Sequence, residues 1–242
     1  MFGDFGRYYG RIAILTGAGI SAESGISTYR DADGIWSKID PEEVATAEAF
    51  ARDPDKCHAF YNEMRGQLRA AEPNDAHRAL AELEQKHPGE VLLITQNVDN
   101  LHRRAGSRNI VHMHGEMDVA RCDHCRQTFD FPRDLDTSTV CPGCGRAGRM
   151  RPHVVLFGEM PFGMDRINAF LMQCDLFLSI GTSGNVYPAA GFVQEIRFRN
   201  RGAHTVELNL EPSDGATLFH ESRQGPATEL VPVYVQRLLT GV

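Results

Sequence analysis

Two CxxC hooks, Cys122-x-x-Cys125 and Cys141-x-x-Cys144, stand fifteen residues apart. Thiolates are soft ligands, and four of them close a tetrahedral zinc shell with no open position for chemistry. The segment between the hooks is polar, with Thr137, Ser138 and Thr139. It therefore reads as a zinc ribbon hung on its metal, and a metal that only holds shape places the chemistry elsewhere. Four unrelated free thiols are the alternative. Paired disulfides are disfavoured, because nothing marks the chain for export. Cys57 and Cys174 read as ordinary buried or half-buried thiols.

A second constellation is the glycine loop Gly17-Ala18-Gly19-Ile-Ser21-Ala22, which follows the apolar run Arg11–Thr16. It fits G-x-G-x-x-[G/A], in which the glycines allow a tight turn and let backbone approach a pyrophosphate, while the next helix offers its N-terminus. A plain strand–turn–helix also meets this pattern. The acidic residue expected about 20 residues on, at the end of a second strand, is missing. Asp31 and Asp33 lie in a polar loop instead. A nucleotide site is expected, but not an ordinary dehydrogenase arrangement. The ribose is assigned to a later strand end, at Asn209 with Glu211.

Gln96-Asn97-Val-Asp99 directly follows the apolar run Val91–Thr95. Open α/β sheets bind ligands at strand carboxyl ends, and two amides with a carboxylate suit an uncharged amide such as nicotinamide. An Asx-type turn explains the segment equally well when it is read alone. In Val111-His112-Met-His114-Gly115-Glu116, alternation puts both histidines on one face. One of them is a candidate general base, since histidine titrates near neutral pH. A metal-binding role for the pair ranks low beside four thiolates.

The elements that must position these groups are short apolar strands alternating with helical stretches. Strands are expected at 11–16, 91–95, 176–180 and 205–210. Helices are expected at 47–68 (one or two), 74–86, 166–173 and 189–198. This alternation predicts a doubly wound parallel sheet. Two insertions interrupt it, at 31–72 and 118–152. With 242 residues, 42% hydrophobic and 24% charged, the chain can bury a large core with a small satellite. A net charge of −7 argues against direct nucleic-acid binding, though Arg146, Arg149 and Arg151 allow a local basic patch. No apolar run approaches the ~18 residues of a spanning helix, and the segment Met1–Gly10 has no secretory core. A cytoplasmic protein without membrane attachment is expected.

Taken together, these pieces resemble the sirtuins, the NAD-dependent protein deacylases. The resemblance is carried, in the family's order, by Gly17–Ser21, Tyr29-Arg30, Gln96–Asp99, His114-Gly115, both CxxC hooks, Phe157-Gly158-Glu159 and Gly181-Thr182-Ser183. It implies an α/β fold: a Rossmann-like parallel sheet with a smaller zinc-ribbon and helical lobe. The NAD-binding domain would comprise residues 1–30, 73–117 and 153–242, the helical insertion 31–72 and the zinc ribbon 118–152. It further implies NAD as co-substrate and structural zinc on Cys122, Cys125, Cys141 and Cys144. Gly17, Ala18, Gly19, Ser21 and Arg30 would hold the cofactor. So would Gln96, Gly181, Thr182, Ser183, Asn209, Glu211 and Ala227 in the late loop that follows Gly225. Asn97 and Asp99 would form the nicotinamide pocket, His114 would be the base, and Val155–Glu159 would be a strand pairing with an acyl-lysine peptide. In the implied reaction the acyl oxygen attacks the ribose C1′ and nicotinamide leaves. The base then deprotonates the ribose diol, and water releases free lysine and O-acyl-ADP-ribose.

The chain departs from the family pattern at Tyr29 and Ser27, where phenylalanine and proline are usual. More telling is Tyr61-Asn-Glu-Met64, because sirtuins that favour acidic acyl groups carry Tyr-x-x-Arg there. Ala45 leaves room for a larger acyl group and Met64 offers apolar surface. Neutral or apolar acyl groups are therefore expected over succinyl. Arg65, next door, would approach along a different line. Two other functions stay open: a mono-ADP-ribosyltransferase or NAD hydrolase on the same scaffold, and a non-catalytic zinc-ribbon binding module.

Overall fold

The computed structural model describes residues 8–28 and 39–241. Along the chain the elements are β1 (Arg11–Thr16), α1 (Gly19–Ala22), α2 (Pro41–Val44), α3 (Ala47–Arg52), α4 (Pro54–Ala70), α5 (Asp75–Lys86) and β2 (Glu90–Thr95). There follow α6 (Leu101–Ala105), β3 (Ile110–His112), β4 (Gly115–Cys122), β5 (Thr128–Asp130), β6 (Met150–Val154) and α7 (Met164–Leu171). The last elements are β7 (Leu176–Ile180), α8 (Phe192–Arg199), β8 (His204–Asn209), β9 (Glu221–Gln224) and α9 (Ala227–Thr240).

Six strands form one sheet in the order β3-β2-β1-β7-β8-β9, with every neighbouring pair parallel. Counted within this sheet the order is 3-2-1-4-5-6, so the winding reverses between β1 and β7. Successive side chains of the apolar strands alternate between two cores. Ile12, Ile14, Leu93 and Leu178 pack with Leu80, Leu83, Val231 and Tyr234 from α5 and α9. Ala13, Leu15, Leu92 and Phe177 pack with Ile167, Phe170, Phe192 and Ile196 from α7 and α8. Burial on both faces is why these strands are apolar runs and not polar–apolar alternations.

Local chemistry sets the helix ends. Asp53 has a non-helical backbone that ends α3, while its carboxylate accepts from the Lys56 amide at 3.1 Å and Pro54 opens α4. Asn74 Oδ1 accepts from the Ala76 and His77 amides (3.0 and 3.3 Å), and the Asn74 amide donates to His77 Nδ1 at 3.3 Å. This is a capping box with histidine in the glutamate position.

A second, antiparallel sheet has the order β5-β4-β6. Its core is small: Ala120, Phe131, Leu135 and Met150 around the cysteines. Beside it, α2 and α4 contribute Val44, Ala45, Phe60, Tyr61 and Met64 to a cluster with Met117, Val154 and Leu156. Strands β4 and β6 run continuously past 117/118 and 152/153, where the sequence reading divided the lobes. The expected strand at Val155–Glu159 is instead one bridge, Phe157 to Thr46, followed by a turn. Among the described residues, no helix is long and apolar enough to cross a membrane.

Candidate active site and zinc centre

The two glycine loops interlock at the point where the winding reverses. The Gly17 amide donates to Ile180 O (3.0 Å), the Gly19 amide to Gly181 O (2.9 Å) and the Gly181 amide to Leu208 O (3.1 Å). A Cβ on Gly19 would lie 2.7 Å from Gly181 Cα, and one on Gly181 would lie 2.4 Å from the Ile20 amide nitrogen. Gly181 also has φ +64°, where side chains are disfavoured. The result is a floor of bare backbone at the strand ends, which suits a pyrophosphate.

The neighbouring strand ends close around this floor. Ala18 is the N-cap of α1. Asn209 donates its amide to Thr182 O at 2.6 Å, and the Thr182 hydroxyl meets Ser179 Oγ at 3.0 Å. Ser183 O accepts from the Asp214 amide (3.2 Å). The Gly225 amide donates to Asn209 O (3.0 Å), and Ala227 opens α9. Thr228 donates amide and hydroxyl to the Glu23 carboxylate, so the late loop is tied to the end of the glycine loop. Glu211 is exposed beyond β8, with no hydrogen bond or ion pair among the described residues. Tyr29, Arg30, Asp31 and Asp33 lie outside the described residues.

Below the floor lies a buried polar network. Asn97 Nδ2 donates to Gly17 O and Ser21 Oγ, both at 3.1 Å. Ser21 Oγ donates to Asp99 Oδ2 at 3.0 Å, and Asp99 Oδ1 accepts from the Leu101 amide at 3.0 Å. Burial raises the Asp99 pKa, against the pull of these hydrogen bonds. His77 Nε2 stands 3.4 Å from Ser21 Oγ, and His102 Nε2 3.0 Å from Thr16 Oγ1. Burial pushes the His77 pKa down to about 4 and that of His102 well down, so both rings are neutral. These two histidines escaped the sequence reading. Their one signal was a polar ring on an otherwise apolar helix face, as with His77 beside Leu80.

His114 follows β3, and its Nδ1 lies 2.9 Å from Gln96 O. A carbonyl only accepts, so Nδ1 carries the proton and Nε2 is the basic nitrogen of the neutral ring. Burial lowers the His114 pKa, and the Gln96 carbonyl offsets part of this. His112 does not join it: its ring lies beside Glu116, with Nε2 3.6 Å from the carboxylate.

The Val155 amide donates to His114 O (2.9 Å) and the Phe157 amide to Ala45 O (2.8 Å). These two bonds join the 155–159 segment to His114 on one side and to the Ala45–Tyr61–Met64 cluster on the other. Gly158 has φ +87°, and Phe157 is 56% exposed. Glu159 turns inward: Oε2 accepts from the Leu156 amide (3.0 Å) and Oε1 from Arg151 Nη2 (2.6 Å). The buried Arg151 also reaches Asp123 (3.3 Å) and Val154 O (3.1 Å). It therefore cannot serve the surface basic patch allowed from sequence, and it links a zinc-hook residue to the 155–159 segment. Arg151→Gln is expected to raise the KM for an acyl-peptide about tenfold, the loss of one charge-assisted bond. The KM for NAD should stay within twofold. Equal changes in both constants would show that Arg151 does not act through this segment.

The four cysteine sulfurs lie within 4.8 Å of one another. Cys122 Sγ is 3.8 Å from Cys144 Sγ, and Cys125 Sγ is 3.7 Å from Cys141 Sγ. A tetrahedron with Zn–S bonds of about 2.3 Å has edges of about 3.8 Å, so the set fits zinc. Cys57 and Cys174 are buried elsewhere, and burial raises their thiols to about 11 and about 12. They are unreactive at neutral pH.

The 3-2-1-4-5-6 sheet with its glycine floor places the chain among dinucleotide-binding Rossmann proteins. The comparison with known proteins narrows this. The Sir2 family model matches residues 17–188. The NAD-dependent protein deacylase of Caulobacter vibrioides is 54% identical over 232 residues, covering 95% of this chain and 97% of that protein. That of Pasteurella multocida is 54% identical over 231 residues, covering 95% and 98%. A solved Sir2 homolog–NAD complex aligns with a TM-score of 0.87 at 38% identity, over 97% of this chain and 91% of the other. A Sir2 variant with a deacetylated p53 peptide and 3′-O-acetyl ADP-ribose aligns at 0.81 and 29% identity, over 99% and 97%. The chain belongs to the Sir2 family.

Proposed function

We propose that this protein is an NAD-dependent protein-lysine deacylase, releasing nicotinamide, free lysine and O-acyl-ADP-ribose. The observation that carries this is the His114 tautomer. Gln96 O fixes the proton on Nδ1, so a neutral, partly buried Nε2 is presented as a base. The main chain of the same residue is bonded to the proposed substrate segment. Bound NAD supplies an electrophilic ribose carbon with nicotinamide as leaving group. Asn97, locked by its bonds to Gly17 and Ser21, and Asp99, held by Ser21 and Leu101, orient that end of the dinucleotide. His114 takes the proton from a ribose hydroxyl. Residues 155–159 hold an extended peptide chiefly by main-chain contacts, which tolerates many sequences around the lysine.

For the acyl group, we infer a preference for neutral or apolar chains over succinyl. Ala45, Tyr61 and Met64 are all buried in one apolar cluster with Val154 and Leu156. Phe50 stacks on Tyr61 with centroids 5.8 Å apart. Arg65 is fully buried, with Nε on Met117 O (3.2 Å) and Nη1 on Asn62 Oδ1 (2.6 Å). Asn62 in turn bonds Leu135 at both ends of its side-chain amide, Nδ2 donating to Leu135 O (2.8 Å) and Oδ1 accepting from the Leu135 amide (3.0 Å). Two arms of the guanidinium are thus committed to the framework, and only Nη2 lacks a partner among the described residues. A carboxylate entering this cluster would be desolvated without a dedicated partner.

The test is a panel of acetyl-, succinyl-, lactyl- and long-acyl-lysine peptides with NAD, read by mass spectrometry. Nicotinamide release without deacylated peptide would instead indicate the hydrolase or ADP-ribosyltransferase reading. Met64→Arg is expected to raise succinyl over acetyl activity by about one to two orders of magnitude, the yield of an ion pair contributing ~1.5–3 kcal/mol. Selective loss of succinyl activity in Arg65→Ala would assign carboxylate recognition to Arg65 and sink the role given to Met64.

A further inference from the structure

Along β3, the edge strand of the large sheet, runs a groove of about 700 Å³. It shares no lining residue with the dinucleotide site. Four arginines line it, Arg103 and Arg104 from α6, Arg108 from the following loop and Arg166 from α7, against one carboxylate, that of Glu116. Arg103 pairs with Glu116 at 2.5 Å, and Arg104 pairs with Glu72 at 2.6 Å. Arg108 and Arg166 are different. Arg108 Nη1 donates to the Arg103 and Ser107 carbonyls (3.2 and 3.1 Å), and Arg166 donates to the Asn109 side-chain oxygen. Neither guanidinium forms an ion pair among the described residues; the Glu84 carboxylate near Arg108 is bound by its main-chain amide (3.0 Å), so two guanidinium charges in one groove have no direct ion-pair partner.

Two buried polar groups in the wall point the same way. The His112 side chain is only 8% exposed, and neither ring nitrogen meets a partner in good hydrogen-bond geometry among the described residues: the Asn97 main chain and the Glu116 carboxylate (3.6 Å) are its loose neighbours. Its pKa is pushed down to about 4 by burial first and Arg103 second, against a smaller upward pull from the Asn97 main chain. The ring is neutral and has one N–H to give. Ser107 is 1% exposed, and its hydroxyl likewise has no partner among the described residues. Unsatisfied buried polar groups are destabilising and uncommon, and a bound ligand is one cause of their retention. The walls come from both sheets: Ile110–His112 from the large one, Gly115, Glu116 and His153 from the small one. The chain crosses between them at Gly115, where φ is +87° and a Cβ would lie 2.0 Å from His153 O.

We propose that this groove binds a small, multiply charged oxyanion of the phosphate type. Guanidinium forks match tetrahedral oxyanions in geometry as well as charge. The Ser107 hydroxyl and the His112 N–H add neutral donors at the wall. A ligand seated here touches both sides of the Gly115 crossover and so holds the two lobes in one relation.

The test uses the full chain with ADP-ribose saturating the dinucleotide site, so that the glycine floor cannot take up the probe. Pyrophosphate is titrated by calorimetry at fixed ionic strength, since screening alone would mimic weak binding. Saturable binding at one site is expected. The double variant Arg108→Gln/Arg166→Gln should weaken it at least tenfold, with an unchanged circular dichroism spectrum because both side chains are exposed. His112→Phe should weaken it too, by removing a donor while keeping a ring in place. Absence of saturable binding to the wild-type protein, or equal binding by the arginine double variant, overturns the proposal.

Discussion

Replacing His114 with alanine is expected to lower kcat/KM for NAD-dependent deacylation by ~10²–10⁴-fold, the usual yield of a positioned general base. The fold should survive. His114 is half-buried and makes one side-chain bond among the described residues, to Gln96 O, whose loss costs about 1 kcal/mol. Thermal unfolding and the rate should therefore separate, with a small change in the first and a large one in the second. The pH profile supplies a second readout. Burial lowers the His114 pKa from its ordinary 6.5, so the acid limb of the wild-type rate should fall below pH 6.5. The base form then persists throughout the neutral range. A variant retaining half the wild-type rate, or an acid limb centred above pH 6.5, would remove His114 from the mechanism.

Cys122→Ala or Cys144→Ala should remove zinc and solubility together. Among the described residues the small sheet encloses Ala120, Phe131, Leu135 and Met150 besides the cysteines, with a partly buried Phe129 against them, too little apolar surface to order 118–152 unaided. Zinc on four thiolates supplies ~10–16 kcal/mol in comparable small ribbons, and that binding energy is folding energy. The loss should spread, because Leu135 anchors Asn62 and through it Arg65, and these belong to the helix that carries Tyr61 and Met64. Metal analysis and limited proteolysis read the two effects. Wild-type protein without stoichiometric zinc, or a metal-free form as stable and active as the loaded one, would defeat the claim.

What was legible in the sequence was whatever is local along the chain. The strands β1, β2, β7 and β8 announced themselves because burial on both faces makes them unbroken apolar runs. Strand β9 did not, since Glu221-Ser-Arg-Gln224 is polar and lies at the edge of the sheet. Helix α9 was hidden behind Pro232, which reads as a helix breaker. The strand that the family resemblance implied at 155–159 is not formed, because Gly158 at φ +87° and the Glu159 carboxylate on the Leu156 amide turn the segment after one bridge. In the site, the glycine loop, Gln96–Asp99 and the two hooks each act as contiguous motifs. The layer beneath them does not: Ser21 meets His77 across 56 residues, and Thr16 meets His102 across 86. No single stretch of sequence contains both members of such a pair. The commitment of Arg65 to Met117 O was likewise hidden, because helical spacing gives a side chain's direction but not its partner.

The interlocked glycines set different evolutionary liberties at the two ends of the site. At Gly17, Gly19 and Gly181 the nearest obstacle to a Cβ is main chain on the opposing loop. No side-chain substitution elsewhere can make room, so single changes there have no compensating partner and drift is closed. Met64 instead faces side chains such as Tyr61 and Ala45, which can repack or be exchanged in turn. If the proposed sites hold, descendants of this chain can change the acyl group they accept by ordinary stepwise substitution, while the dinucleotide they take is inherited unchanged.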